Sequence, residues 1–106
     1  MNFIAWLIFI LSAVLEVGGD AMTRKGLRGS GLFFLLAGFV MLGCYGLVVN
    51  MVRWDFSKLL GVYVAVFALV SVLCGQFVFK ENIPLSTWFG LGLIILGGAT
   101  IQWGSK

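Results

Sequence analysis

Along the chain, polar positions are so sparse that the pattern reduces to four long apolar runs separated by short polar breaks. The first runs from Phe3 to about Met22 and is interrupted by charge only at Glu16 and Asp20. The second, Leu32 to Met51, contains no charge, and the third, Leu59 to Phe79, has Tyr63, Ser71 and Gln76 as its polar side chains. The fourth, about Leu85 to Trp103, is again uncharged. A bilayer core about 30 Å thick is crossed by about 20 apolar residues of helix at 1.5 Å each. The runs are continuously apolar and do not alternate in and out, so they predict helices rather than barrel strands. The expected fold is all-α: one transmembrane domain of four helices over 3–22, 32–51, 59–79 and 85–103.

The connections, Thr23 to Gly31, Val52 to Lys58 and Lys80 to Pro84, leave no room for a second domain. Pro84 sits where a helix can begin, because its missing N–H is not needed in the first turn. Trp6, Trp54, Trp88 and Trp103 fall near span ends, where indole prefers the headgroup zone. The first run lacks the basic segment of a leader, since only Met1 and Asn2 precede it, and is read as a span.

Composition narrows the classes further. Of the 106 residues 61% are apolar and 10% charged, far from the roughly 25% charged residues of a soluble domain. With no histidine and only Cys44 and Cys74, the chain has no ligand set for a metal and no base for a catalytic triad. No enzyme activity and no cofactor are expected. Both cysteines lie inside apolar runs and read as small buried packing residues.

The net charge of +3 is spread over the ends of the runs, which suits lipid headgroups and not nucleic acid. Alternating the spans puts Arg53, Lys58 and Lys106 on one side and Arg24, Lys25, Arg28 and Lys80 on the other. Three cations against four give no orientation bias. Either the chain inserts in a way this count misses, or it inserts both ways, and the second option gives an antiparallel homodimer.

Glu16 is the most informative residue. It falls just past the middle of the first span, where an ionised acid costs about 2.5–3.5 kcal/mol on insertion scales. Such acids usually belong to an ion or substrate path, and no Lys or Arg falls inside any predicted span. Loss of water disfavours the ionised form, which brings proton binding into competition with a cationic ligand. Ser12, Glu16 and Gly19 with Asp20 recur at helical spacing and share one side, Ser12 and Gly19 leaving room beside the carboxylate. Asp20 has two readings: a second acid on the same path, or an interfacial i,i+4 pair with Arg24.

Gly90, Gly97 and Gly98 on the fourth span form a second group, with Gly90 and Gly97 one heptad apart. Small residues let helices approach closely in lipid. The group reads as a dimer seam or as packing within the chain. On the third span Tyr63 is a candidate opposite wall for a cation, or else a belt residue at the headgroups. Gln76, Ser71 and Asn50 are weaker candidates for helix contacts or caps.

These residues together resemble the small multidrug resistance family of the drug/metabolite transporter superfamily, over nearly the whole chain. The matching stretches are Ala13-Val14-Leu15-Glu16-Val17-Gly18-Gly19, Cys74-Gly75-Gln76-Phe77-Val78-Phe79-Lys80-Glu81 and Gly90-Leu91-Gly92-Leu93-Ile94-Ile95-Leu96-Gly97. The resemblance implies an antiparallel, dual-topology homodimer in which two copies of Glu16 share one site, for which protons and substrate compete. It puts Tyr63 at the family's third-span tryptophan. The chain departs from the family at Leu60, where a tyrosine is usual, at Ala65-Val66-Phe67, where a glycine kink is usual, and at Asp20. The altered pocket points away from typical quaternary-ammonium drugs or guanidinium and toward an amphiphilic molecule.

The expectation is a proton-coupled exporter of a small cationic or amphiphilic molecule in a bacterial inner membrane, with membrane lipid, protons and a second copy as its partners. The same residues fit two rival readings. One is a flippase component for a lipid or lipid-linked sugar, and the other is a non-transporting subunit of a larger membrane complex.

Overall fold

A computed structural model describes residues 3–104; Met1, Asn2 and Lys106, which enter the leader and charge arguments, lie outside them. The described residues are helical throughout, apart from the connections. The helices are α1 (Phe3–Lys25), α2 (Leu32–Val49), α3 (Phe56–Phe77) and α4 (Leu85–Gly104). Among the described residues, these four are long and apolar enough to cross a membrane.

The helix ends differ from the expected spans by up to three residues, for local reasons. The first helix runs on to Lys25 because Arg24 and Lys25 in its last turn complement the partial negative charge at a helix C-terminus. The third starts at Phe56, one residue after Asp55, whose carbonyl accepts from the Leu59 N–H at 2.8 Å. An acid at that position faces the positive end of the helix. The fourth opens as expected, with the Pro84 carbonyl accepting from Thr87 N–H at 3.0 Å.

The chain divides into two compact helical hairpins, residues 1–52 and 53–106. The first folds through a tight connection, Gly26–Ser30, in which Gly29 takes φ 114°. Only glycine enters that region without a Cβ clash. In the second hairpin the α3–α4 connection turns at Lys80, which takes φ 56°.

The α1–α2 seam shows why these helices pair. In lipid, the hydrophobic effect does not drive helices together, so close packing of small residues takes its place. A Cβ at Gly19 would meet Leu42 Cγ at 2.8 Å and the Gly38 carbonyl oxygen at 3.1 Å. A Cβ at Gly38 would meet the Thr23 side chain, and a Cβ at Gly26 would lie 2.8 Å from Leu35 N. Three antiparallel pairs follow: Gly26 with Leu35, Thr23 with Gly38 and Gly19 with Leu42. Both partners advance by three residues and then four, the spacing of one continuous helical face.

The α3–α4 hairpin uses the same device more sparingly. Gly98 packs against Ala65, whose Cβ a substituent would meet at 2.8 Å, and a Cβ at Gly61 would meet Ile101 Cδ1 at 2.7 Å.

Candidate functional site

Extending the α1–α2 register by the same alternating steps places the remaining seam residues. The next α1 positions are Glu16, Ser12 and Phe9, and the next α2 positions are Tyr45 and Val49, the last residue of that helix. The outermost positions behave as a seam requires. Ser12 and Phe9 are 0% exposed and Val49 is 1% exposed. Glu16 and Tyr45, between them, are both half-buried. The register sets the two opposite each other across the seam.

Glu16 therefore sits on the packed face of α1, about 20 Å from the start of the helix and about 14 Å from its end. It is neither at a helix end nor sealed off. A carboxylate placed there has one side against α2 and part of its surface open. It can accept a proton or the positive charge of a ligand arriving on the open side.

The hydroxyls beside it are committed to their own helix. Ser12 Oγ donates to the Ile8 carbonyl at 2.7 Å, and Thr23 Oγ1 donates to the Gly19 carbonyl at 2.8 Å. Such back-bonding satisfies a hydroxyl in an apolar medium without a partner helix. Ser71 and Thr100 do the same, to Ala68 O at 2.9 Å and Leu96 O at 2.8 Å. Asn50 also bonds back, from Nδ2 to the Gly46 carbonyl at 2.8 Å, at the end of α2.

Of the residues that sequence grouped with Glu16, Ser12 and Gly19 share its face. The space beside Gly19 is occupied by Leu42 and Gly38 of α2, so this glycine serves helix approach. Asp20 is exposed and lies off the seam. Among the described residues no ion pair joins it to Arg24.

In the second hairpin Tyr63 lies two turns into α3 and is 3% exposed, so it is not a lipid-facing belt residue. Its ring sits 6.3 Å from that of Phe67 at a tilt of 34°. The glycines of α4 separate into two roles. Gly98 is buried against Ala65, whereas Gly90 and Gly97 have open space where a Cβ would stand. Gln76 Oε1 and Gln102 Oε1 are buried without a hydrogen-bond partner.

The cysteines require a correction. Cys74 is half-buried, but Cys44 is exposed on the outer face of α2, where a small apolar side chain is equally at home in lipid. Both are free thiols. Among the described residues no group of acids and cysteines is arranged to hold a metal ion.

Two lysines mark helix ends. Lys25 Nζ lies 4.6 Å from the centre of the Phe34 ring, and Lys58 Nζ lies 4.3 Å from that of Trp54. A cation held over an aromatic face suits the headgroup boundary, where the stem stays in apolar surroundings and the charge reaches water.

Tyr45 is the site residue that sequence reading missed. The signal for it was the three-and-four spacing Leu35, Gly38, Leu42, Tyr45, Val49, which is visible only once the partner face on α1 is known.

Comparison with known proteins returns membrane proteins along the whole chain. The chain is 31% identical to a UPF0060 membrane protein of Nocardia farcinica over 101 residues, covering 93% of this chain and 91% of that one. It is 36% identical to a UPF0060 membrane protein of Saccharopolyspora erythraea over 103 residues, covering 93% and 92%. A third, from Desulfitobacterium hafniense, is 26% identical over 106 residues and covers 98% of each chain. No family model matches the chain, and no solved structure matches it.

Proposed function

The chain belongs to the family of UPF0060 membrane proteins, and from that footing we propose that it is a proton-coupled secondary transporter of the small multidrug resistance type. Its cargo is a small cationic or amphiphilic molecule, exported in exchange for protons across a cell inner membrane. The observation that carries this reading is the position of Glu16. An acid on the packed face of a membrane helix, far from both ends and only half-buried, is costly to keep unless it is used.

The transporting unit in this reading is an antiparallel homodimer. Four helices of about 20 residues enclose too little space for a hydrated path, so a second copy completes it. The split of three cations against four between the two faces supports insertion in both orientations. Gly90 and Gly97 lie one heptad apart on α4 with nothing of their own chain against them, which supports a seam with that copy. Each Glu16 then alternates between proton and cargo as the two copies rock about the midplane.

The test is transport by the full chain in liposomes with an acidic interior. A panel of lipophilic and amphiphilic cations is offered outside. The wild type takes up at least one of them as the internal pH rises, and Glu16→Gln reduces uptake to that of empty liposomes. Equal uptake by Glu16→Gln and wild type sinks the assignment of Glu16.

A further inference from the structure

We propose that Tyr45 is the positioning residue for Glu16: its phenol hydroxyl donates to the carboxyl group across the α1–α2 seam and fixes the direction in which the acid points. The positioning role rests on the transport reading above, whereas the contact itself does not.

Register is the first argument. Three close approaches, Gly26 to Leu35, Thr23 to Gly38 and Gly19 to Leu42, fix the antiparallel alignment of the two helices. The next step of three on each helix brings Tyr45 opposite Glu16. Burial of Ser12 and Phe9 on α1 and of Val49 at the end of α2 continues the same two faces beyond that pair.

Donor supply is the second argument. A carboxyl group in an apolar seam needs hydrogen-bond donors, because water is not there to solvate it. Ser12 spends its one O–H on the Ile8 carbonyl, and Thr23 spends its own on the Gly19 carbonyl. The Tyr45 phenol is the hydroxyl on the facing helix at the height of the acid. Its ring is anchored by two torsions only, so a bond to it holds the carboxyl group in one rotamer at small entropic cost. An acid held this way presents its other oxygen to the open side of the seam, which is where a proton or a cation arrives.

The experiment is polarised infrared spectroscopy of the full chain in oriented bilayers, at a pH where Glu16 is protonated. The Glu16 carbonyl band is isolated as the difference between wild type and Glu16→Gln. In Tyr45→Phe the band moves to higher wavenumber, as a carbonyl does on losing a donor, and its dichroism falls as the group loses its fixed direction. Glu16→Asp, with the acid on a stem one methylene shorter, leaves α2 untouched and shows the same upward displacement. A band unmoved in wavenumber and dichroism in both variants overturns the proposal. Because the spectra need no cargo, the two readings fail separately. A displaced band in a protein that transports nothing upholds the pair and removes the transporter. Unchanged bands in a protein that does transport remove the pair alone.

Discussion

Replacing Gly38 by alanine puts one methyl group into the tightest point of the α1–α2 crossing. The new Cβ would lie 2.8 Å from the Gly19 carbonyl oxygen and 2.8 Å from the Thr23 N, with the Thr23 side chain closer still. Two of these are backbone atoms that cannot rotate aside, so the helices must separate by several tenths of an ångström. Overpacking of this kind costs about 1–3 kcal/mol. Alanine recovers part of that through its better helix propensity, up to about 1 kcal/mol. The net loss is about 1–2 kcal/mol, a factor of roughly 5–30 in the ratio of folded to unfolded protein. Gly43, five positions on in the same helix, has nothing within 4 Å of its Cβ position and is the internal control. Gly43→Ala leaves stability unchanged or raises it by up to about 1 kcal/mol. Reversible unfolding in mixed micelles with increasing sodium dodecyl sulfate, followed by circular dichroism, measures both. Coincident midpoints for the two variants, or a higher midpoint for Gly38→Ala, would refute the crossing.

Other substitutions test separate parts of the account. Gly97→Leu fills open space, so the unfolding midpoint stays within about 0.5 kcal/mol of wild type. Energy transfer between labelled copies in liposomes nevertheless falls at least ten-fold, because the side chain blocks the proposed seam; unchanged transfer would remove α4 from the interface. Gly29→Ala forces a Cβ into φ 114° and lowers stability by about 1–2 kcal/mol in the same unfolding assay, although no neighbour is within 4 Å. No change there would mean that the α1–α2 connection relaxes freely.

How much of this was legible in the sequence depends on the medium in which the protein works. The four helices were readable because long uncharged runs have few other uses, and Glu16 stood out because it interrupts one of them. Which face of each helix is packed was not readable. In water a buried face is apolar and an exposed face polar, but in lipid both are apolar. On α2 the packed residues Gly38, Leu42 and Val49 differ little in character from the outward Leu36, Phe39, Val40 and Leu47. Tyr45 was therefore invisible as the partner of Glu16 until the glycine contacts set the register. The glycines show the same effect. Sequence grouped Gly90, Gly97 and Gly98, whereas packing assigns Gly98 to its own hairpin and leaves the other two open. Helix ends moved by a turn or less because capping charges at Lys25 and Asp55 outweigh the edge of the apolar run.

The most direct measurement is proton release on cation binding, read with the full chain in weakly buffered detergent solution as each member of the cation panel is added. The account requires that a cation which binds the wild type displaces protons from it, and that Glu16→Gln releases none under the same conditions. Release that persists in Glu16→Gln, or cation binding by the wild type with no protons released at any pH at which Glu16 carries one, would contradict it.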